Sequence, residues 1–158
     1  MKTITGNLIK EFKNGTFNVI LHGCNCFHVM GGGIAWAISN NFPEALEVDK
    51  KTPKGVDSKM GTISVASIGK ASKSIYGQYI VNCYTQFRPG EEEPSYLYAA
   101  IRLCMKNVYD RFQGQKGIKI GYPKIGAGIA GGDWGVISKI IEEELKDLDH
   151  TLVVWEKG

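Results

Sequence analysis

The sequence lacks the features of a secreted, membrane-spanning or disulfide-stabilised protein. No apolar run approaches the ~20 residues that cross a bilayer, and residues 1–5 contain no apolar stretch of the signal-peptide type. The four cysteines, Cys24, Cys26, Cys83 and Cys104, are too few and too irregularly spaced for a disulfide framework. We therefore expect a cytoplasmic protein with reduced thiols and no membrane partner.

The chain also lacks a strong net charge. Its 19 Lys and Arg residues against 16 Asp and Glu residues give a formal charge of +3. This balance, with no basic-aromatic motif, argues against a nucleic-acid partner but permits an anionic small molecule. A length of 158 residues with 43% hydrophobic residues predicts one domain, spanning 1–158, and we expect it to be a monomer.

Glycine is the residue type in excess, with 20 residues in the chain. One cluster is Gly31–Gly33, and a second contains Gly126, Gly128, Gly131 and Gly132. Neither cluster matches G-x-G-x-x-G or G-x-x-x-x-G-K-[ST], so the sequence does not support a Rossmann or P-loop nucleotide site.

Segments of strand and helix type alternate along most of the chain. Apolar runs predict strands over residues 17–21, 62–68, 79–84, 118–122 and 151–155, and helical periodicity predicts helices over 33–42, 94–112 and 134–145, with another beginning at Pro43. This alternation predicts an α/β protein, a three-layer α/β/α sandwich with helices on both faces of the sheet.

Each glycine cluster follows a predicted strand and precedes a predicted helix. Ligands of such sheets bind beyond the carboxyl ends of the strands. A glycine-rich loop presents main-chain N–H groups, and the following helix adds the positive end of its dipole. Two such loops together are suited to hold a diphosphate, although each cluster is alternatively only a tight turn.

The segment 22–28 (His-Gly-Cys-Asn-Cys-Phe-His) places His22, Cys24, Cys26 and His28 on one face of an extended chain. Four ligands within one strand cannot close around a single tetrahedral zinc ion, so we expect no metal site, and both cysteines are interpreted as small core residues. His22 stands just ahead of the first glycine loop, where a histidine can relay protons or attack phosphorus. The alternative is a core histidine bonded to a carbonyl group.

Two further ionisable residues have structural interpretations. Asp133 precedes the predicted helix 134–145 and is expected to cap it, with a catalytic carboxylate as the alternative. His150, beside acidic residues near a helix end, is expected on the solvated surface.

Four segments together resemble the macrodomain family, which binds ADP-ribose. They are residues 6–8 (Gly-Asn-Leu), 22–26 (His-Gly-Cys-Asn-Cys), 31–35 (Gly-Gly-Gly-Ile-Ala) and 123–130 (Pro-Lys-Ile-Gly-Ala-Gly-Ile-Ala). The resemblance covers residues 2–155 and implies a macrodomain-like fold with a mixed central sheet. The second and third segments are similar to the branch that removes phosphate from ADP-ribose 1''-phosphate.

The resemblance implies roles for individual residues. His22 matches the proposed catalytic histidine, and Asn25 matches the asparagine that faces the distal ribose. Residues 6–8 lie beside the adenine, whose amine would meet the amide oxygen of Asn7, and the two loops enclose the diphosphate. The implied ligand-binding set is Gly6, Asn7, Leu8, Gly23, Cys24, Asn25, Met30, Gly31, Gly32, Gly33, Ile34, Ala35, Ile125, Gly126, Ala127, Gly128, Ile129 and Ala130.

Departures from the family narrow the predicted activity. Hydrolases that release ADP-ribose from acidic side chains use a Lys and an Asp, where this chain has Gln86 and Ala130, and another hydrolase branch has an Asp where this chain has Ala35. The predicted function is therefore a phosphatase for ADP-ribose 1''-phosphate that yields ADP-ribose and needs no cofactor or metal. A non-catalytic ADP-ribose-binding module and an ADP-ribosyl ester hydrolase are the alternatives.

Overall fold

A single mixed sheet of six strands runs through the protein in a computed structural model that describes residues 1–69 and 77–156. The order in the sheet is β1-β6-β5-β2-β4-β3, and only β3 runs antiparallel to its neighbour within the described residues. The strands are β1 (Lys2–Gly6), β2 (Val19–Cys24), β3 (Ile63–Ser67), β4 (Tyr79–Tyr84), β5 (Lys119–Tyr122) and β6 (Asp149–Trp155).

Helices cover both faces of this sheet. They are α1 (Leu8–Lys13), α2 (Gly33–Asn41), α3 (Pro43–Lys50), α4 (Pro94–Phe112) and α5 (Trp134–Leu145), with a short 3₁₀ turn at Asp57–Lys59. The apolar faces of α4 and α5 share one core with β2, β4 and β5, whereas α1, α2 and α3 share another core on the opposite face. The predicted three-layer α/β/α sandwich with a mixed sheet is therefore confirmed.

The two long helices begin where the sequence places capping residues. Pro94 occupies the first turn of α4, and the Glu93 side chain accepts a hydrogen bond from Tyr96 N at 3.2 Å. Asp133 Oδ1 accepts from Gly135 N at 2.7 Å, so the predicted cap of α5 is confirmed.

The first two elements and His150 differ from expectation. β1 and α1 were not predicted, because β1 is an exposed edge strand without a buried apolar face and α1 has only six residues. The prediction that His150 lies on the surface is wrong. β6 begins two residues earlier than predicted and buries the imidazole, whose Nδ1 lies 2.7 Å from the Tyr122 hydroxyl.

The sheet order brings the two glycine-rich loops together. β2 and β5 are parallel neighbours, paired at Val19 with Ile120 and at Ile20 with Gly121. Their carboxyl ends therefore meet at one edge of the sheet, and the loops that follow them face each other. No helix in residues 1–69 and 77–156 is long and apolar enough to cross a membrane.

Candidate functional site

A cavity of about 560 Å³ lies between the two glycine-rich loops. Its size is within the roughly 300–1,000 Å³ of small-molecule sites. The sequence-predicted residues that line it are Gly23, Cys24, Asn25, Gly31, Gly32, Gly33, Ile34, Ala35, Ile125, Gly126, Gly128, Ile129 and Ala130. The structure thus brings both predicted loops and the end of β2 to one site.

The first loop leads directly into the N-terminus of α2. Gly32 is the N-cap and has no side chain to accept hydrogen bonds, and Gly33 has a positive φ of 57° that favours glycine. The N–H groups of Gly33, Ile34 and Ala35 stand in the first helical turn, where no intrahelical acceptor exists. These donors and the helix dipole favour an anion in the cavity.

The second loop is held in shape by its own main chain. Gly132 N donates to Gly126 O at 2.8 Å, and Ala127 N donates to Lys124 O at 3.2 Å. Gly126 has a positive φ of 75°, and a Cβ there would lie 2.9 Å from Ile101 Cδ1, so a larger residue at this position would be strained. At Gly128, by contrast, a Cβ would meet nothing within 4 Å.

Asn25 ties the first loop to the end of β2. Its Oδ1 accepts from Phe27 N at 2.9 Å, and its Nδ2 donates to Val29 O at 2.8 Å. In the part of the chain that the structure describes, the second N–H of this amide has no hydrogen-bond partner, and Asn25 lines the cavity. Asn25 therefore shapes the loop as well as facing the cavity.

His22 lies behind the cavity wall and does not line it. The imidazole is 0% exposed, and its Nε2 is 2.6 Å from Asn82 Oδ1. Because Asn82 Nδ2 donates to Ala45 O and Ser64 Oγ, Oδ1 is the acceptor and Nε2 carries the proton. Burial lowers the pKa of His22 to about 4, so the ring is neutral near pH 7.

This position bears on the catalytic role predicted for His22. The ring points into the layer between the sheet and α3, where Asn82 reaches the carbonyl of Ala45. In this arrangement the imidazole has no contact with a ligand in the cavity. The catalytic assignment stays a prediction, and the geometry favours a structural role.

Cys24 separates His22 from the cavity. Its Sγ lies 3.7 Å from His22 Nδ1 and 3.6 Å from Nε2, nearly equal distances that indicate contact with the ring rather than a bond directed at one nitrogen. Burial raises the pKa of the Cys24 thiol well above its usual range. Cys24 is therefore a neutral part of the wall and not an activated nucleophile.

The remaining members of the segment 22–28 point to separate partners. Cys26 Sγ donates to Gln86 O, and His28 Nε2 lies 2.8 Å from Thr52 O. Cys24 and Cys26 pack with Met30 and Tyr84 in a small core, as the core interpretation predicts. Among the residues that the structure describes, no group of three or more His, Cys, Asp or Glu side chains could hold a metal ion.

A second, apolar groove of about 340 Å³ meets the cavity at Gly33, Ile34 and Pro123. Its other lining residues are Leu8, Ala37, Val153 and Trp155. Leu8 therefore lines a groove that adjoins the cavity, and Trp155 contributes an exposed aromatic ring.

Four predicted binding residues do not line the cavity or this groove. The Asn7 side-chain oxygen caps α1 by accepting from Lys10 N at 3.1 Å, and Gly6 ends the edge strand β1. Met30 is buried in the small core with Cys24, and Ala127 packs against the α4–α5 core.

Sequence reasoning missed several residues of the cavity wall. They are Val29, Pro89, Gly90, Pro123 and Lys124, and Gln86 was noticed only as a departure from a family pattern. Pro123 and Lys124 belong to the segment 123–130 that carried the resemblance, so they could have been included. Residues 89 and 90 carried only an ordinary Pro-Gly turn signal.

Comparisons with known proteins agree with this geometry. The family model of the Macro domain matches residues 21–141. A 17.5 kDa protein in the tk-vs intergenic region of Enterobacteria phage T4 is 39% identical over 159 residues, which cover 99% of this chain and 97% of the phage protein.

Solved structures share the fold. The macrodomain of Thermus aquaticus DarG has a TM-score of 0.74 at 24% identity, with 99% of this chain and 97% of that chain covered. Thermosipho africanus DarTG in complex with ADP-ribose has a TM-score of 0.71 at 14% identity, with 99% of this chain and 42% of that chain covered.

Proposed function

This chain belongs to the macro domain family, and on that premise we propose that its cavity binds ADP-ribose. The observation that carries the proposal is the pair of glycine-rich loops around a cavity that continues into an apolar groove. ADP-ribose has the matching order of parts, an apolar base, a diphosphate and a terminal ribose. The complex of the Thermosipho africanus relative with ADP-ribose supports the same ligand.

The diphosphate is placed between the two loops. The first turn of α2 offers the N–H groups of Gly33, Ile34 and Ala35, and Lys124 adds a positive charge on the opposite wall. No other charged side chain lines the cavity in the described part of the chain. The diphosphate therefore meets donors and one cation, and no carboxylate.

The adenine is placed in the groove between Leu8, Ile34 and Trp155. An aromatic ring and aliphatic side chains suit a flat, largely apolar base. The distal ribose then lies at the other end, near Asn25, whose remaining N–H can reach a hydroxyl. This arrangement orders the whole ligand along the carboxyl edge of the sheet.

Gly128→Val tests the binding proposal. Because a Cβ at Gly128 meets nothing within 4 Å, the added methyl groups should fill the cavity without disturbing the core. We expect calorimetry to show ADP-ribose binding weakened by at least ~10-fold, through steric conflict and lost N–H contacts.

Gly114→Val is the matched control. A Cβ at Gly114 also meets nothing within 4 Å, its φ is not positive, and it lies in the turn after α4, away from the cavity. Its affinity should equal that of the wild type. Unchanged affinity in Gly128→Val, or no binding of ADP-ribose by the wild type, would contradict the proposal.

We also propose removal of phosphate from ADP-ribose 1''-phosphate as the activity of this cavity. Support comes from Cys24 and Asn25, which line the same cavity as the glycine loops. Both belong to the segment 22–26, which resembles the phosphatase branch of the family. A terminal phosphate there would meet loop N–H groups rather than carboxylates.

Release of inorganic phosphate from ADP-ribose 1''-phosphate tests this activity. The sequence-based hypothesis expects His22→Ala to lower turnover by ~10²–10⁴-fold while ADP-ribose binding survives. Asn25→Ala should lower both the turnover and the affinity for ADP-ribose, because this residue shapes the loop and faces the ribose. A wild type that binds ADP-ribose but releases no phosphate would contradict the phosphatase activity.

A further inference from the structure

Gln86 occupies the cavity wall at the carboxyl end of β4, directly beside the end of β2. Its main-chain N–H donates to Cys24 O at 3.4 Å, which places it next to Asn25. Its side-chain Nε2 donates to Arg88 O at 2.8 Å and to Gly90 O at 2.9 Å. Both amide hydrogens therefore hold the rim loop, residues 86–93.

These two hydrogen bonds show which atom of the Gln86 amide is the nitrogen and which is the oxygen. Both partners are carbonyl oxygens, so the atom between them must be the nitrogen. The Gln86 oxygen accepts no hydrogen bond from the part of the chain that the structure describes, and it is not among the buried unpartnered atoms. Oε1 is therefore an accessible acceptor on a residue that lines the cavity.

We infer that Gln86 determines specificity for the terminal ribose, with Oε1 accepting a hydrogen bond from a ribose hydroxyl. The inference rests on the proposed binding of ADP-ribose. An acceptor with no remaining donor attracts a hydroxyl group and offers nothing to a phosphate oxygen. Asn25, on the adjacent strand end, presents the complementary N–H, so the two amides together offer one acceptor and one donor to the same sugar.

The experiment compares two ligands in one variant. ADP-ribose and ADP share the adenosine and the diphosphate, and they differ by the distal ribose. In Gln86→Met, which removes the acceptor and keeps a similar length, calorimetry should show ADP-ribose binding about 5–15-fold weaker. Binding of ADP should change by less than about 2-fold, because ADP does not reach Gln86.

Glu92→Ala separates recognition from loop support. Glu92 accepts from Phe87 N at 2.6 Å and from Glu93 N at 3.0 Å, so it holds the rim loop without lining the cavity. If Gln86→Met lost ADP-ribose affinity only because the rim loop was less well held, Glu92→Ala would show the same loss of affinity.

Three outcomes overturn the inference. They are unchanged affinity of Gln86→Met for both ligands, equally weakened binding of both ligands, and a loss of ADP-ribose affinity that Glu92→Ala matches. In each case the proposed function is still supported if the wild type binds ADP-ribose. A wild type that does not bind ADP-ribose would contradict the proposed function, and this inference would then be wrong as well.

Discussion

Acidification should destabilise this protein through His22. In the folded state the imidazole is fully buried, and desolvation lowers its pKa to about 4. In the unfolded chain its pKa returns to about 6.5. Between these values the unfolded state binds a proton that the folded state does not, so the free energy of unfolding falls as the pH falls from about 6.5 to about 4.

The size of the effect follows from the separation of the two pKa values. Each pH unit within the window costs ~1.4 kcal/mol, so lowering the pH from 7.5 to 5.0 should cost about 2 kcal/mol. The loss is about 3 kcal/mol at pH 4 and reaches its full value of about 3.4 kcal/mol below that pH. Above about pH 7.5 the ring is neutral in both states, so His22 contributes almost no pH dependence there.

Urea unfolding of the wild type and of His22→Gln at pH 7.5 and 5.0 measures this contribution. The Gln amide nitrogen can occupy the place of Nε2 and donate to Asn82 Oδ1, but it does not titrate. His150, whose pKa is also lowered by burial, and all carboxylates are common to both proteins. The difference between the two pH dependences therefore isolates His22.

An equal loss of free energy of unfolding in both proteins between pH 7.5 and 5.0 would contradict this prediction. That result would mean that folded His22 takes up a proton as readily as the unfolded chain does. An NMR titration of the His22 ring checks the same point directly, since a midpoint near 6.5 contradicts its burial as a neutral group.

Two further predictions concern stability and use chemical denaturation. Asp133→Ala should lower the free energy of unfolding by ~1 kcal/mol by removing the cap on Gly135 N, whereas Asp133→Asn should be nearly neutral, and equal losses would contradict capping. Lys59→Met should cost ~3–5 kcal/mol, because it leaves the buried Asp49 carboxylate without its cation at 3.7 Å; a loss below 1 kcal/mol would show that the pair is not needed.

Much of the fold was predictable because the central elements carry strong local signals. α4 and α5 have the predicted bounds, since each combines a capping residue with a continuous apolar face. β4 also matches its prediction, as a short apolar run. β1 gave no such signal, because an edge strand with four exposed residues has no apolar pattern to detect.

The two loops and the end of β2 were predicted from the sequence, but the other residues that line the cavity were not. Glycine marks a loop wherever the chain turns, so both loops were visible in the sequence. The placement of His22 was not, because β2 is buried on both faces and its pattern does not tell which side chains reach the cavity. The role of Gln86 could not be predicted either, since it depends on hydrogen bonds from its side chain to the carbonyl oxygens of Arg88 and Gly90.

The distribution of ionisable groups decides what chemistry this cavity can perform on a phosphate. In the described lining, Lys124 carries the charge, and Cys24 is a protonated thiol. Acid–base catalysis requires a group within ~3 Å of the reacting atom or one water away. The Nε2–H of His22 instead donates a hydrogen bond to Asn82 Oδ1. Phosphate release by a protein whose His22 stays neutral at pH 5 would assign the catalysis to the loop N–H groups and Lys124. If the rate of phosphate release instead depended on pH with a midpoint near 6.5 that belongs to His22, the imidazole would have to reach the cavity from β2.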